Sequence, residues 1–282
     1  MEEFDIEYYI DNKYESPVRK ANFQLLVIPE SDSQQVIVDL KFYSSENQEI
    51  YFSKNIFGFD VISYYIGSPF SEFWFKMSAR IQKSQINPFR VSPYLPSDEY
   101  QLIHSLDFQI DHQLFLWETE LTKMPSEIEC TFPEFTGETQ VFEYLLKLKN
   151  HLYNLLEYSP ESTDVNTPIA EVLRIRKGVC QDYAHVFLAV CRQNKIPARY
   201  VSGYLNQGDG FIGSGQLHAW VEALIPGLGW IGFDATNNLV ADHHYIKIAH
   251  GTDYRDCSPI IGVLETTGAQ KSVHSVIVSS NQ

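Results

Sequence analysis

The sequence predicts an α+β protein in two parts, and three features carry the prediction. Residues 1 to about 90 are filled by short β-type runs separated by turn residues. Two later segments, 138–156 and 180–194, place apolar residues at helical spacing. After them, 216–225 alternates as a strand and leads through Pro226-Gly227-Leu228-Gly229 into a second short strand, 230–234. Runs of strands followed by helices and a separate hairpin are the pattern of segregated α+β architecture.

In the first part, Phe23 to Ile28, Gln35 to Phe42 and Val61 to Ile66 are strand candidates, with turn chemistry at Pro29-Glu30-Ser31-Asp32. Dense Tyr and Phe suit sheet packing, so residues 1–92 are expected to form a β-sandwich. Pro88, Pro93 and Pro96 break the periodicity and mark a linker. The second part is expected to span 93–282. Parts of Leu102 to Leu121 read as helical. Phe142, Leu145, Leu146, Leu148, Leu152 and Leu155 give a stripe for a helix over 138–156. A short helix is expected over 167–176, with Thr167 as cap and Pro168 at its first position.

The segment GVCQDYAHVFLAVCRQNKIP then opens a helix on a thiol. Ala184, Phe187, Leu188 and Cys191 fall on one face, with Val186, Ala189 and Val190 off that stripe, so burial on more than one side is expected. Lys195 and Pro197 end the helix near Asn194. Cys180 therefore sits at the helix N-terminus, where unpaired N–H groups and the positive dipole end favour a thiolate and can hold an oxyanion. The plainer alternative for Cys180 is a small buried hydrophobe. Cys191, about 16 Å further along the helix, reads as core.

On the hairpin, His218, Trp220 and Glu222 share one side of the first strand, and Trp230, Gly232 and Asp234 one side of the second. A hairpin pivoting near Pro226 brings His218 and Asp234 to opposed or nearly opposed positions on one face. Thiol, imidazole and carboxylate form the set nucleophile, base and base-orienter, which is acyl-transfer chemistry. Gln181 is a further candidate oxyanion donor. A surface His–Asp pair is the plainer alternative, and the thiol at a helix start weighs against it. Asp242, His243, His244 and His250 also cluster, but their spacing fits no usual zinc pattern and no CxxC occurs. No metal and no cofactor is expected. Tyr254, Asp242, Asp253 and Asp256 are candidates to border the cleft, with satisfied loop polar groups as the simpler reading.

The blocks GVCQDYAH, IPARYVSGYL, HAWVEALIPGLGWIGFDATNN and GTDYRDCSPIIGV, in that order, resemble the bacterial transglutaminase-like family of papain-like thiol enzymes, which includes cysteine proteases. The likeness spans about Val141 to Val263. It implies a Cys–His–Asp triad at Cys180, His218 and Asp234, and a nucleophile-bearing helix packed on an antiparallel sheet. FDIEYYIDNKYESPV, LLVIPESDSQQVIVDLKF and NIFGFDVISYYI more weakly resemble the β-rich domain that precedes this core in such proteins. Ala235, Phe59 and Thr252 depart from the residues usual in the family at those places, and Thr252 makes substrate preference less transferable.

With 36 acidic and 21 basic residues, the net charge is −15. That disfavours nucleic acid and anionic membranes as partners. No apolar run approaches a membrane span, and the acidic start reads as strand rather than signal peptide. The four widely spaced cysteines read as reduced thiols of a cytoplasmic protein. The expected function is hydrolysis of peptide or glutamine-like amide bonds through a thioester. Transamidation to an amine and a non-catalytic protein-binding scaffold are the alternatives.

Overall fold

The computed structural model describes residues 1–46, 49–127, 130–208 and 210–281. In chain order the strands are β1 (Glu2–Val18), β2 (Ala21–Leu25), β3 (Gln35–Ser44), β4 (Ile50–Lys54), β5 (Asp60–Ile66), β6 (Phe70–Lys83), β7 (Glu157–Tyr158), β8 (Lys177–Gly178), β9 (Ala198–Leu205), β10 (His218–Ile225), β11 (Gly229–Asp234), β12 (Leu239–Val240), β13 (Tyr245–Gly251), β14 (Ile260–Leu264) and β15 (Gln270–Asn281). The helices are α1 (Pro96–His104), α2 (Leu106–Asp111), α3 (Val141–Leu155), α4 (Ile169–Ile175) and α5 (Cys180–Gln193). Antiparallel sheets and a separate helical cluster make this an α+β fold.

The sandwich has one sheet in the order β15-β1-β6-β3 and a second in the order β14-β2-β5-β4. β1 shows why it forms. Phe4, Ile6, Tyr8 and Ile10 alternate inward and are buried, each opposite a buried β6 residue: Ile81, Ala79, Met77 and Phe75. Between them Asp5 and Glu7 point outward and pair with Arg80 and Lys76 across the strands. Phe23 stacks on Phe73 with centroids 4.5 Å apart, joining the two sheets.

The second unit is a five-stranded sheet, β12-β11-β10-β9-β13, with α5 against one face. Phe187 of α5 stacks on Phe233 of β11 at 5.7 Å. Every residue of α5 from Gln181 to Arg192 is buried, which explains apolar positions all round it. α3 packs outside α5 and buries Phe142, Leu145, Leu148 and Leu152. The helix expected over 167–176 begins later: Pro168 is the cap residue, and the Thr167 hydroxyl instead accepts from the Asp164 N–H. Residues 84–95, the expected linker, carry neither helix nor strand.

The expected division at residue 93 needs one correction. The last two strands belong to the sandwich, not to the second unit. β14 pairs with β2 from Ile260↔Leu25 to Leu264↔Ala21. β15 pairs with β1 along most of its length. The sandwich is thus built from both ends of the chain, around an inserted core. The sequence reads as strand over 275–279 but says nothing of its partner, which lies more than 250 residues away.

The sandwich also grips the core directly. Gln35 donates to the Lys247 carbonyl at 2.8 Å and accepts from the Lys247 N–H at 3.1 Å. Tyr204 donates to the Val27 carbonyl at 2.6 Å, and the Val276 N–H of β15 donates to the Gly215 carbonyl at 3.0 Å.

A chain ending at Gly268 lacks β15, leaves the β1 edge unpaired and loses the Val276–Gly215 bond. We expect it to aggregate or to lose cooperative thermal unfolding. Circular dichroism melts and size-exclusion chromatography check this; a monomer with the full-length midpoint would contradict the two-ended sandwich.

Candidate active site

α4 ends in a left-handed Arg176, and the chain then runs through β8 into α5. The carboxylate of Asp182 closes this turn by accepting from the Val179 N–H at 2.7 Å and the Thr163 hydroxyl at 2.6 Å. Burial raises the Asp182 pKa, and those two bonds oppose the shift. Cys180 is consequently fixed as the first residue of α5 and is half-buried. The first intrahelical bonds run from Asp182 and Tyr183 to the Val179 carbonyl. The N–H groups of Cys180 and Gln181 lie ahead of them, as the opening pair of the helix.

His218 opens β10 and is buried, with Nε2 2.7 Å from Asp234 Oδ2. Its other ring nitrogen, Nδ1, is buried without a hydrogen-bond partner. Asn237 Nδ2 lies 3.5 Å from Nε2, and Cys180 is near enough to the ring to act on its pKa. The loop before β10 lies flat on the imidazole. At Gly213, φ is +103°, and a Cβ there would come within 2.6 Å of His218 Cγ. Glycine is required on both counts.

Asp234 is fully buried, and five donors satisfy it. Oδ1 accepts the backbone N–H groups of Thr236 and Asn237; Oδ2 accepts His218, the Asn237 amide and the Tyr245 hydroxyl. Burial acts to raise its pKa, but the His218 charge and these bonds leave it below the ordinary value. For His218, burial acts to lower the pKa; Asp234 and then Cys180 outweigh it and raise the value to about 10. Burial and the neighbouring carboxylate push the Tyr245 phenol up, so it stays a donor.

The structure pairs His218 with Asp234 and places Cys180 near the same ring, at the first turn of α5. The hairpin register differs by two residues. Val221 faces Phe233 and Ile225 faces Gly229, so the hairpin turns about Gly227 rather than Pro226. Asp234 lies diagonal to His218, and the even offset keeps both on one face. Gln181 does not enter the site by its amide nitrogen, which donates to the Val165 carbonyl at 3.1 Å. The acids Asp242, Asp253 and Asp256 are tied into their own loops by His244, Arg255 and Thr252. Tyr254 sits edge-on to Tyr200, and its N–H donates to His185.

Asn237 and Tyr245 were not foreseen as partners of Asp234. The first had a local signal, since Asp-x-x-Asn at a strand end is a side-chain-closed turn. The second had none. Tyr245 is on β13, beyond β9 and β10 in the sheet. Its ring meets Trp220 edge-on at 5.3 Å. Gly203 of β9 leaves the space for this: a Cβ there would lie 2.5 Å from Trp220 Cη2.

The site thus consists of a half-buried thiol at a helix start and a buried His–Asp pair on the adjoining strands of an antiparallel α+β scaffold. Residues 132–235 match the model of the Transglutaminase-like superfamily. An uncharacterised Mycobacterium tuberculosis protein is 36% identical over 159 residues, 53% of this chain and 50% of its own. The match covers half the length of that protein and of two further mycobacterial relatives. A protein-glutamine gamma-glutamyltransferase of Pseudomonas aeruginosa is 34% identical over 98 residues, 33% of this chain and 15% of its own. A proposed cysteine protease of Cytophaga hutchinsonii has the same fold, with a TM-score of 0.77 at 23% identity over 100% of this chain and 91% of its own.

Because His218 titrates at about 10 in the fold against an ordinary 6.5, its contribution to stability is full below about pH 6.5 and is lost as pH rises toward 10. Asp234, shifted down from 3.8, contributes above that value and loses its contribution as pH falls through its folded pKa. The wild-type thermal midpoint should therefore fall more steeply between about pH 6.5 and 10 than that of His218→Gln. Parallel profiles by scanning fluorimetry would contradict a protonated His218 in the fold.

Proposed function

We propose that the chain is a thiol hydrolase that cleaves peptide or glutamine-like amide bonds through Cys180, His218 and Asp234. The observation that carries this reading is a buried imidazole clamped by Asp234 through one nitrogen, with its other nitrogen unpartnered and Cys180 nearby at the start of α5. His218 holds the thiol proton, so that the resting pair is imidazolium and thiolate. The Cys180 sulfur attacks the amide carbonyl, and the N–H groups of Cys180 and Gln181 receive the oxyanion. His218 returns the proton to the nitrogen as the C–N bond breaks, leaving a thioester and a free amine. Water, deprotonated by His218, then releases the acid and restores the thiol. Asp234 holds the ring orientation throughout.

The half-exposed position of Cys180 supports hydrolysis, since water reaches the thioester unless a bound acceptor excludes it. The four unpaired cysteines support a reducing compartment, the cytoplasm. Similarity to a gamma-glutamyltransferase favours a second reading, transfer of the acyl group to a protein amine.

One experiment separates these. A peptide acyl donor is supplied with a labelled primary amine, and free acid and amide are quantified by mass spectrometry. Free acid should predominate and should vanish in Cys180→Ala, while Asp234→Asn, if folded by circular dichroism, should lower turnover by up to about 10⁴-fold. Predominant amide would make the protein a transamidase. Asp234→Asn activity within a few-fold of wild type would reduce Asp234 to a structural role.

A further inference from the structure

Outside the Cys–His–Asp site, three metal-ligating side chains converge where the sandwich meets the core. We propose that Glu2, His243 and His244 form a binding site for a first-row divalent metal ion of the Zn²⁺ type. One ligand atom from each of the three lies within 4.8 Å of the others. Glu2 Oε2 is 3.1 Å from His243 Nε2. The rings of His243 and His244 are 4.1 Å apart between centroids, at 37° to one another. An ion at their centre needs only small side-chain movements to reach metal–nitrogen and metal–oxygen distances of about 2.0–2.2 Å.

The backbone and its neighbours prepare this geometry. His243 and His244 occupy a turn closed by the Tyr245 N–H on the Asp242 carbonyl at 3.2 Å. Asp242 Oδ1 accepts the His244 N–H at 2.9 Å and lies 3.1 Å from His244 Nδ1. A carboxylate on one imidazole nitrogen fixes the tautomer and turns the other nitrogen toward a metal, the usual carboxylate–histidine–metal relay. Phe4 packs edge-on against His244 at 6.3 Å. The second histidine also has unused capacity, since His243 Nδ1 is buried without a partner. The Glu2 and His243 side chains are only 25% and 17% exposed, so the site is a crevice rather than an open surface.

Two imidazoles and one carboxylate suit Zn²⁺, Ni²⁺, Co²⁺ or Cu²⁺; Ca²⁺ and Mg²⁺ prefer all-oxygen sets. Three protein ligands leave a fourth position for water. The local spacing D-H-H contains no zinc pattern because the third ligand comes from the other end of the chain. His250, which the sequence groups with these residues, is elsewhere, among Phe57, Phe59 and Phe115. A bound ion would staple β1 of the sandwich to the turn that leads into Tyr245, whose hydroxyl holds Asp234.

The test uses the full chain carrying Cys180→Ala, so that the thiol cannot compete, stripped with a chelator and titrated with Zn²⁺ calorimetrically. One equivalent should bind, and the thermal midpoint should rise with Zn²⁺ concentration. His243→Ala and His244→Ala should each weaken binding at least about tenfold, and Asp242→Asn about 10–100-fold through the relay. His104→Ala, on the exposed end of α1, should bind as the parent does. Co²⁺ should give a tetrahedral visible spectrum without a thiolate charge-transfer band. No saturable Zn²⁺ binding, unchanged affinity in both folded histidine variants, or a thiolate band pointing to Cys130 would each overturn the proposal.

Discussion

A carboxylate at zero exposure carries a large desolvation cost, and Asp234 survives there because donors converge on both of its oxygens. The rest of the site follows from that constraint. The turn after β11 supplies Thr236 and Asn237, β10 supplies His218, and β13 supplies Tyr245. Removing one partner from such a buried charged pair typically costs about 3–5 kcal/mol, because the other charge is left uncompensated. The same burial keeps bulk water from weakening the His218–Asp234 attraction, so the imidazole has one orientation available. Its free nitrogen is thereby aimed by the sheet, while the thiol is placed by a different element, the start of α5.

The sandwich contributes to this aim although it holds none of the three groups. Its last strand bonds the Gly215 carbonyl, and the same loop lays Gly213 on the His218 ring. On the other side, Gln35 and Tyr204 bind the sandwich to β13 and β9. An insertion held at both of its ends by one sandwich cannot swing freely, so loop 213–216 rests on a rigid neighbour. This arrangement favours a site whose geometry is set before substrate arrives.

Much of the site was legible because its signals are local. The helix at Cys180 follows from spacing and a proline stop. The shared face of His218 and Asp234 follows from strand alternation, which survives a register error of two. Other features depend on contacts that no local pattern encodes. Tyr245 reaches Asp234 across two intervening strands, and only because Gly203 leaves room. β14 and β15 look like any other strands until their partners are known. Gln181 has the right chemistry for an oxyanion donor, but the Val165 carbonyl competes for its amide.

The central claim is that Cys180 alone among the cysteines is activated by an adjacent imidazole. Burial raises the thiol pKa of Cys130, Cys191 and Cys257, and the last two are also sealed in the core. The direct measurement is the rate of iodoacetamide alkylation of each cysteine in the folded protein at about pH 6, read by peptide mass spectrometry. The account predicts that Cys180 reacts well ahead of the other three and that His218→Gln removes this lead. Equal or slower labelling of Cys180 in the wild-type protein would contradict it.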